Sequence, residues 1–371
     1  MTSLKLGVLA RTRKENEQRL PIHPLHLDRL DADVAERVFL ERGYGDDFGI
    51  GDEELARSVG GVKSREELIA ECDVILLLKP DPRDLADMRD GQVLWGWPHC
   101  VQDRALTQEA IDRKQTLIAF EVMNLWGADG SFKLHVFHKN NELAGYCSVL
   151  HALQLIGSTG TYGRRLRAVV LGFGATGRGA VKALDAIGVN DIDVLTNRAV
   201  VEVAAPIHPA QMLQFEDDVV FTQDGKVPLA GFLTEHDIVV NCVLQNPNAP
   251  QVYLTDEDVT AMRPGSLIVD VSCDAGMGFS WAQPTSFAEP TFTVGDNVTY
   301  YAVDHSPSYL WNAATWEISE ALLPYLETVL DGPPAWERDQ TVKRAIEIQD
   351  GRILNPAILA FQKRSAEYPH A

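Results

Sequence analysis

The feature that most constrains this chain is the run Gly172-Phe173-Gly174-Ala175-Thr176-Gly177, set directly behind the apolar stretch Val169-Val170-Leu171 and ahead of a helical pattern from Arg178 to Ala186. Strand, tight glycine turn and helix in that order open a parallel α/β sheet that carries a dinucleotide. Gly172 permits the sharp turn, Gly174 lets backbone approach a pyrophosphate, and Gly177 lets the helix lie close on the strand. The helix start adds unpaired N–H groups and the positive end of its dipole. A glycine-rich turn without a ligand is the plainer alternative. The dinucleotide reading assigns Gly172, Gly174, Ala175, Thr176 and Gly177 to the cofactor, with Thr196, Asn197, Arg198 and Val243 at the ends of neighbouring runs.

Short apolar runs of strand length recur between amphipathic stretches, the pattern of parallel sheets covered by helices. Strands are expected at 5–10, 74–78, 93–97, 117–120, 168–171, 193–196, 238–243 and 267–271, and helices at 24–30, 53–59, 103–113, 140–156 and 179–187. Past Asp296 the alternation is expected to stop, and 307–330 reads as one long helix. A chain of 371 residues exceeds what one core usually serves. The expectation is therefore α/β, with two doubly wound parallel-sheet domains. Residues 1–140 with 300–371 would form a substrate (catalytic) domain, and 141–299 a Rossmann dinucleotide-binding domain.

Lys+Arg number 33 against 53 Asp+Glu, a formal charge of −20, and that field repels phosphate backbones and anionic lipid. Nucleic acid and membrane are not expected as partners. The apolar start, 6–10, turns charged at Arg11, too short for a signal peptide or span, so a cytoplasmic protein is expected. Five scattered cysteines without a Cys-x-x-Cys pair fit reduced thiols, with neither a disulfide framework nor a metal site.

In this class of fold the second strand usually ends in an acid that accepts the adenosine ribose hydroxyls. Here Asp193-Val194-Leu195-Thr196 closes on Asn197-Arg198. A carboxylate would repel a 2′-phosphate, whereas Arg198 could pair with one and Thr196 and Asn197 could bond to it. NADP(H) is expected over NAD(H); the alternative for Arg198 is a solvated surface charge.

Ligands of open α/β sheets bind beyond the carboxyl ends of the strands, so polar residues closing apolar runs carry weight. Four such closings stand out: Lys79 after Val74–Leu78, His99 after Val93–Trp97, Glu121 after Leu117–Phe120, and Asp274 after Ile268–Ser272; Arg19 follows the first strand. If the two sheets face each other, these converge with the nicotinamide to give a 2-oxo acid its cationic clamp and proton donor. Each residue alone also has an ordinary reading: a snorkelling lysine, a loop histidine, a loop or cap carboxylate.

Taken together, Lys14-Glu15-Asn16-Glu17-Gln18-Arg19-Leu20-Pro21, Leu78-Lys79-Pro80, Pro98-His99-Cys100, Leu171–Gly177 and Val269-Asp270-Val271-Ser272-Cys273-Asp274 resemble the alanine dehydrogenase, transhydrogenase and saccharopine dehydrogenase superfamily, in its motif order and over nearly the whole chain. The resemblance implies that Arg19, Lys79 and His99 hold and protonate pyruvate, as in alanine dehydrogenases, or that Lys79 and His99 act as acid and base, as in saccharopine dehydrogenases. Ala144-Gly145-Tyr146, the missing ribose acid, and Asp304-His305-Ser306-Pro307-Ser308 followed by Ile318–Pro324 look most like the N5-(carboxyethyl)ornithine synthase branch. That branch joins a side-chain amine to pyruvate using NADPH. Trp95, Trp97 and Trp126 depart from it by adding bulk near these residues.

The expected reaction is a reductive condensation of a pyruvate-like 2-oxo acid with the amine of an ornithine- or lysine-type amino acid, giving an opine-like secondary amine. Catalysis is assigned to Lys79, His99 and Asp274, and substrate binding to Arg19, Glu121 and His305. Alanine dehydrogenase and saccharopine dehydrogenase are the enzymatic alternatives. A dinucleotide-sensing binding protein is the non-enzymatic one, and retention of Lys79, His99 and Asp274 together argues against it. A homo-oligomer is expected.

Overall fold

The computed structural model describes residues 3–199, 203, 205–246 and 249–371. It has two compact units, Met1–His138 with Trp311–Ala371, and Lys139–Leu310.

In the first unit six parallel strands lie in the order Gly61–Lys63, Val38–Glu41, Leu6–Val8, Val74–Leu77, Val93–Gly96, Thr116–Ala119. The returning segments Ile346–Gln349 and Arg352–Ile353 extend the sheet antiparallel beyond Thr116–Ala119. Side chains alternate between faces along a strand. Val74, Leu76 and Leu78 accordingly enter one core while Ile75 and Leu77 enter another. Both faces being dry is why the run is uninterrupted in apolar residues, each contributing roughly 1.5–3 kcal/mol by burial.

The second unit repeats the plan. Its parallel strands run Gln211–Glu216, Asp191–Thr196, Arg167–Leu171, Ile238–Asn241, Leu267–Asp270, Val298–Tyr301, with antiparallel additions at both edges. Ala168 and Val170 face one core, Val169 and Leu171 the other. Numbered by chain order, the parallel strands of each unit read 3-2-1-4-5-6, the doubly wound order that reverses direction beside the first strand and opens a crevice there.

Several expectations need correction. The helix anticipated over 307–330 is broken into Ser306–Leu310, Trp311–Leu322, Leu323–Tyr325 and Leu326–Leu330, the first and third being 3₁₀ turns. Pro307 and Pro324 each lack the N–H that a continuing helix needs. The alternation does not end at Asp296, since Val298–Tyr301 joins the parallel sheet beside Leu267–Asp270. The helix expected at 24–30 is a 3₁₀ turn, Pro24–Arg29, and that at 53–59 shrinks to Asp52–Leu55. Val38–Glu41, Gly61–Lys63 and Gln211–Glu216 are strands with no expected counterpart.

Candidate active site

The glycine turn is shaped as a cradle. Gly172 sits at φ +88°, a left-handed conformation open to glycine, and donates its N–H to the Leu195 carbonyl at 2.8 Å. A Cβ on Gly177 would lie 2.0 Å from the Gly172 oxygen, so only glycine lets the helix Ala175–Ala186 settle on the turn. A Cβ on Gly174 would meet nothing within 4 Å. The outer side of the turn is thus open where a pyrophosphate approaches, and the residues present fit a dinucleotide. The helix His138–Leu155 supports this cradle: Gly145 packs so tightly that a Cβ there would stand 1.9 Å from the Thr176 carbonyl.

At the tip of the second strand Thr196 is buried, and its hydroxyl accepts the Arg198 N–H at 3.2 Å. Arg198 donates through Nη2 to the Phe173 carbonyl at 3.4 Å. Asn197 lies between them, and Val243 donates its N–H to Asn241 Oδ1 at 3.2 Å.

In the first unit the strand ends deliver four side chains to one edge, because all six strands are parallel. Lys79 leaves Val74–Leu77, His99 leaves Val93–Gly96, Glu121 stands on the 3₁₀ turn Phe120–Val122 after Thr116–Ala119, and Arg19 follows Leu6–Val8. Lys79 Nζ lies 2.7 Å from His99 Nε2. An ammonium can only donate, so this contact assigns the lone pair to Nε2 and the ring proton to Nδ1, which faces Glu121 Oε1 at 3.2 Å. The same Oε1 accepts the His99 backbone N–H at 2.8 Å. His99 holds a left-handed backbone, φ +49°, and this double grip offsets the ~1 kcal/mol or more that the conformation costs.

Arg19 enters as half of a buried ion pair. Its Nε and Nη2 donate to Glu17 at 2.8 and 2.5 Å. Burial pushes the Glu17 carboxyl up, but Arg19 and the charge of Lys79 together hold it below its ordinary range. The Trp97 ring carries both cations, Arg19 at 5.6 Å and Lys79 at 5.5 Å from its centroid. Its bulk is therefore the wall that orients them. Trp95 is core, its Nε1 on Met123 sulfur, and Trp126 packs under Arg344.

Sequence reasoning missed the groups behind this row. Glu347, almost fully buried, rides on Ile346–Gln349, is held by Asn355 Nδ2 at 2.7 Å and receives the Cys100 thiol. Burial first, and then the charge of Glu347, push Glu121 up to about 8 against the pull of Lys79. Glu121 Oε2 is buried with no hydrogen-bond partner among the described residues.

Asp274 and His305 belong to the second unit. Burial raises the Asp274 carboxyl. His305 is buried, with Nδ1 2.6 Å from Asp304 and its ring against Phe287. The loop bearing Asp274 is anchored by a residue to which sequence reasoning gave no role of its own: Asp270 accepts from Tyr300 Oη at 2.7 Å, Asn241 Nδ2 at 2.9 Å and the Cys273 N–H at 3.1 Å. Burial, outweighing those donors, brings Asp270 up to about 6. No helix among the described residues is long and apolar enough to cross a membrane.

Two family models match the chain: alanine dehydrogenase/PNT, N-terminal domain, over residues 7–142, and alanine dehydrogenase/PNT, C-terminal domain, over residues 153–356. The N(5)-(carboxyethyl)ornithine synthase of Clostridium botulinum is 28% identical over 330 residues, 86% of this chain and 92% of that one. The alanine dehydrogenase of Mycobacterium tuberculosis is 26% identical over 373 residues, 96% of each chain. A solved L-alanine dehydrogenase superposes with a TM-score of 0.78 at 22% identity, covering 97% of this chain and 99% of that one, a likeness of fold.

Proposed function

Since the chain belongs to the alanine dehydrogenase/PNT family, and is on that account an NAD(P)-dependent oxidoreductase acting on CH–NH bonds, we propose that it condenses a pyruvate-like 2-oxo acid with the side-chain amine of a basic amino acid and reduces the product with NADPH. The balance is amine plus oxo acid plus NADPH plus a proton, giving a secondary amine, NADP⁺ and water. The observation that carries this reading is the Lys79–His99–Glu121 row, with Lys79 Nζ 2.7 Å from His99 Nε2.

That hydrogen bond lets the pair share one proton, so the partner that holds it acts as acid and the other as base. Arg19 and Lys79, aligned on Trp97, would hold the oxo acid carboxylate. Lys79 would take a proton from the incoming ammonium, and His99 would deliver one to the carbonyl oxygen so that it leaves as water. Glu121 fixes the His99 ring and tautomer through its contact with Nδ1. Asp274 would contact the amino acid's ammonium, and the segment around His305 and Ser306 would hold its carboxylate. The dinucleotide, when bound along Gly172, Gly174, Ala175, Thr176, Gly177 and Val243, supplies the hydride.

A basic amino acid is supported by the carboxyethylornithine synthase relative, 28% identical against 26% for the alanine dehydrogenase, and the −20 charge favours a cationic partner over a second anion. The preference for NADPH is supported by Asn197-Arg198 standing where a ribose-binding acid is expected. Oxidation of NADPH with pyruvate should be measured against ammonia, ornithine, lysine and arginine, with products identified by mass. A secondary amine from a basic amino acid is the expected product. Alanine from ammonia, with no secondary amine from any of the three, would place the activity with the alanine dehydrogenases instead.

A further inference from the structure

We infer that Arg178 and Arg198 form a two-guanidinium clamp for the 2′-phosphate of the dinucleotide's adenosine ribose, with Phe173 as the post on which both are mounted. The inference rests on the NADP(H) preference proposed above and extends it to Arg178, a residue of the phosphate-binding helix with no assigned role. Phe173 is the residue between the first two glycines of the turn. Its carbonyl accepts Arg198 Nη2 at 3.4 Å, and its ring lies under the Arg178 guanidinium, 4.2 Å from centroid to Cζ. Arg178 Nη1 also donates to the Ala205 carbonyl at 2.6 Å, which orients the fork toward the segment that follows the second strand.

Two like charges are thus gathered on one residue at the mouth of the cradle. Burial and the charge of Arg198 both weaken the hold of Arg178 on its proton. Glu142 acts on Arg178 and also pairs with Lys182 and with Lys139, the latter at 3.5 Å. In a chain of net charge −20, Arg198 thus stands beside Arg178, while Arg178, Lys139 and Lys182 act on the same glutamate, Glu142. A dianionic phosphate monoester relieves the repulsion and offers coplanar oxygens to two planar forks. A ribose diol does neither.

The test is direct binding to the full-length protein, by calorimetry or quenching of intrinsic fluorescence, with NADPH, NADH, 2′,5′-ADP and 5′-ADP. The parent should bind 2′,5′-ADP at least tenfold more tightly than 5′-ADP. Arg178→Ala should weaken NADPH and 2′,5′-ADP by about tenfold or more, the scale of one hydrogen bond between charged groups, while NADH moves by less than about threefold. Arg178→Lys keeps the charge but loses the fork, and should fall between parent and alanine variant; it serves if Arg178→Ala unfolds. In the double variant with Arg198→Ala the two losses should not add, since one phosphate bridges both residues. Equal weakening of NADPH and NADH by Arg178→Ala would overturn the clamp and leave Arg178 as packing for the turn. A parent that binds 5′-ADP and NADH as tightly as their phosphorylated counterparts would instead overturn the cofactor preference, and the clamp with it.

Discussion

Replacing Glu121 with glutamine should remove a pH dependence from the stability of the first unit. Burial foremost, and then Glu347, hold the Glu121 carboxyl at about 8 against an ordinary 4.5. Between those values the folded chain binds one proton more than the unfolded chain. The stability this contributes is complete below about 4.5 and is lost as pH rises through about 8. One pKa unit corresponds to ~1.4 kcal/mol, so going from pH 5 to pH 7 would cost about 2.7 kcal/mol for a fully enclosed carboxyl. Because 24% of the Glu121 side chain stays in solvent, roughly 2 kcal/mol is expected. Glutamine keeps an oxygen for the His99 N–H but does not titrate. Six of the seven tryptophans lie in the first unit, so urea unfolding followed by tryptophan fluorescence reports on it. The unfolding free energy of Glu121→Gln minus that of the parent should rise by roughly 2 kcal/mol from pH 5 to pH 7. Glu347→Gln should shift the parent's loss of stability toward lower pH, because the charge that helps keep Glu121 protonated is gone. Parallel curves for parent and Glu121→Gln would show that Glu121 carries no extra proton in the folded protein and would refute the reasoning.

His99→Ala should fold and bind NADPH like the parent yet turn over roughly a hundredfold or more slowly, the scale of a lost acid–base group; near-parental turnover would make His99 a loop residue only. Gly145→Ala places a methyl group where its Cβ would stand 1.9 Å from the Thr176 carbonyl, so thermal unfolding should show a loss of about 1–3 kcal/mol together with weaker dinucleotide binding. Gly231→Ala, where an added Cβ meets nothing within 4 Å, should cost no stability and serves as its control. Fluorescence titration should find NADPH bound more tightly than NADH, and the reverse order would remove the argument from Asn197-Arg198.

What could be read from the sequence were demands made by neighbours in the chain. The cradle is legible because a left-handed turn at Gly172 and a contact that leaves no room for a Cβ at Gly177 admit one residue type each. The strand runs are legible because burial on both faces erases polar alternation over four or five residues, as at Val74–Leu77. The residues set behind the candidate site answer to partners far away in sequence. Glu347 reaches Glu121 only because Ile346–Gln349 pairs antiparallel with Thr116–Ala119, Ile346 opposite Ile118. Nothing near residue 347 marks that register: the run Ile346-Glu347-Ile348-Gln349 alternates like an edge strand with its acid in water. Asp270 was likewise absorbed into a strand pattern, although its carboxyl draws together Asn241, Cys273 and Tyr300. An acid inside an apolar run is costly to bury without donors. That cost is the signal available from sequence alone: an unexplained carboxyl at the carboxyl end of a parallel strand, as at Asp270, or on the strand that closes the sheet, as at Glu347, implies donors or a shared proton beside the site, and it says so before the partners can be named.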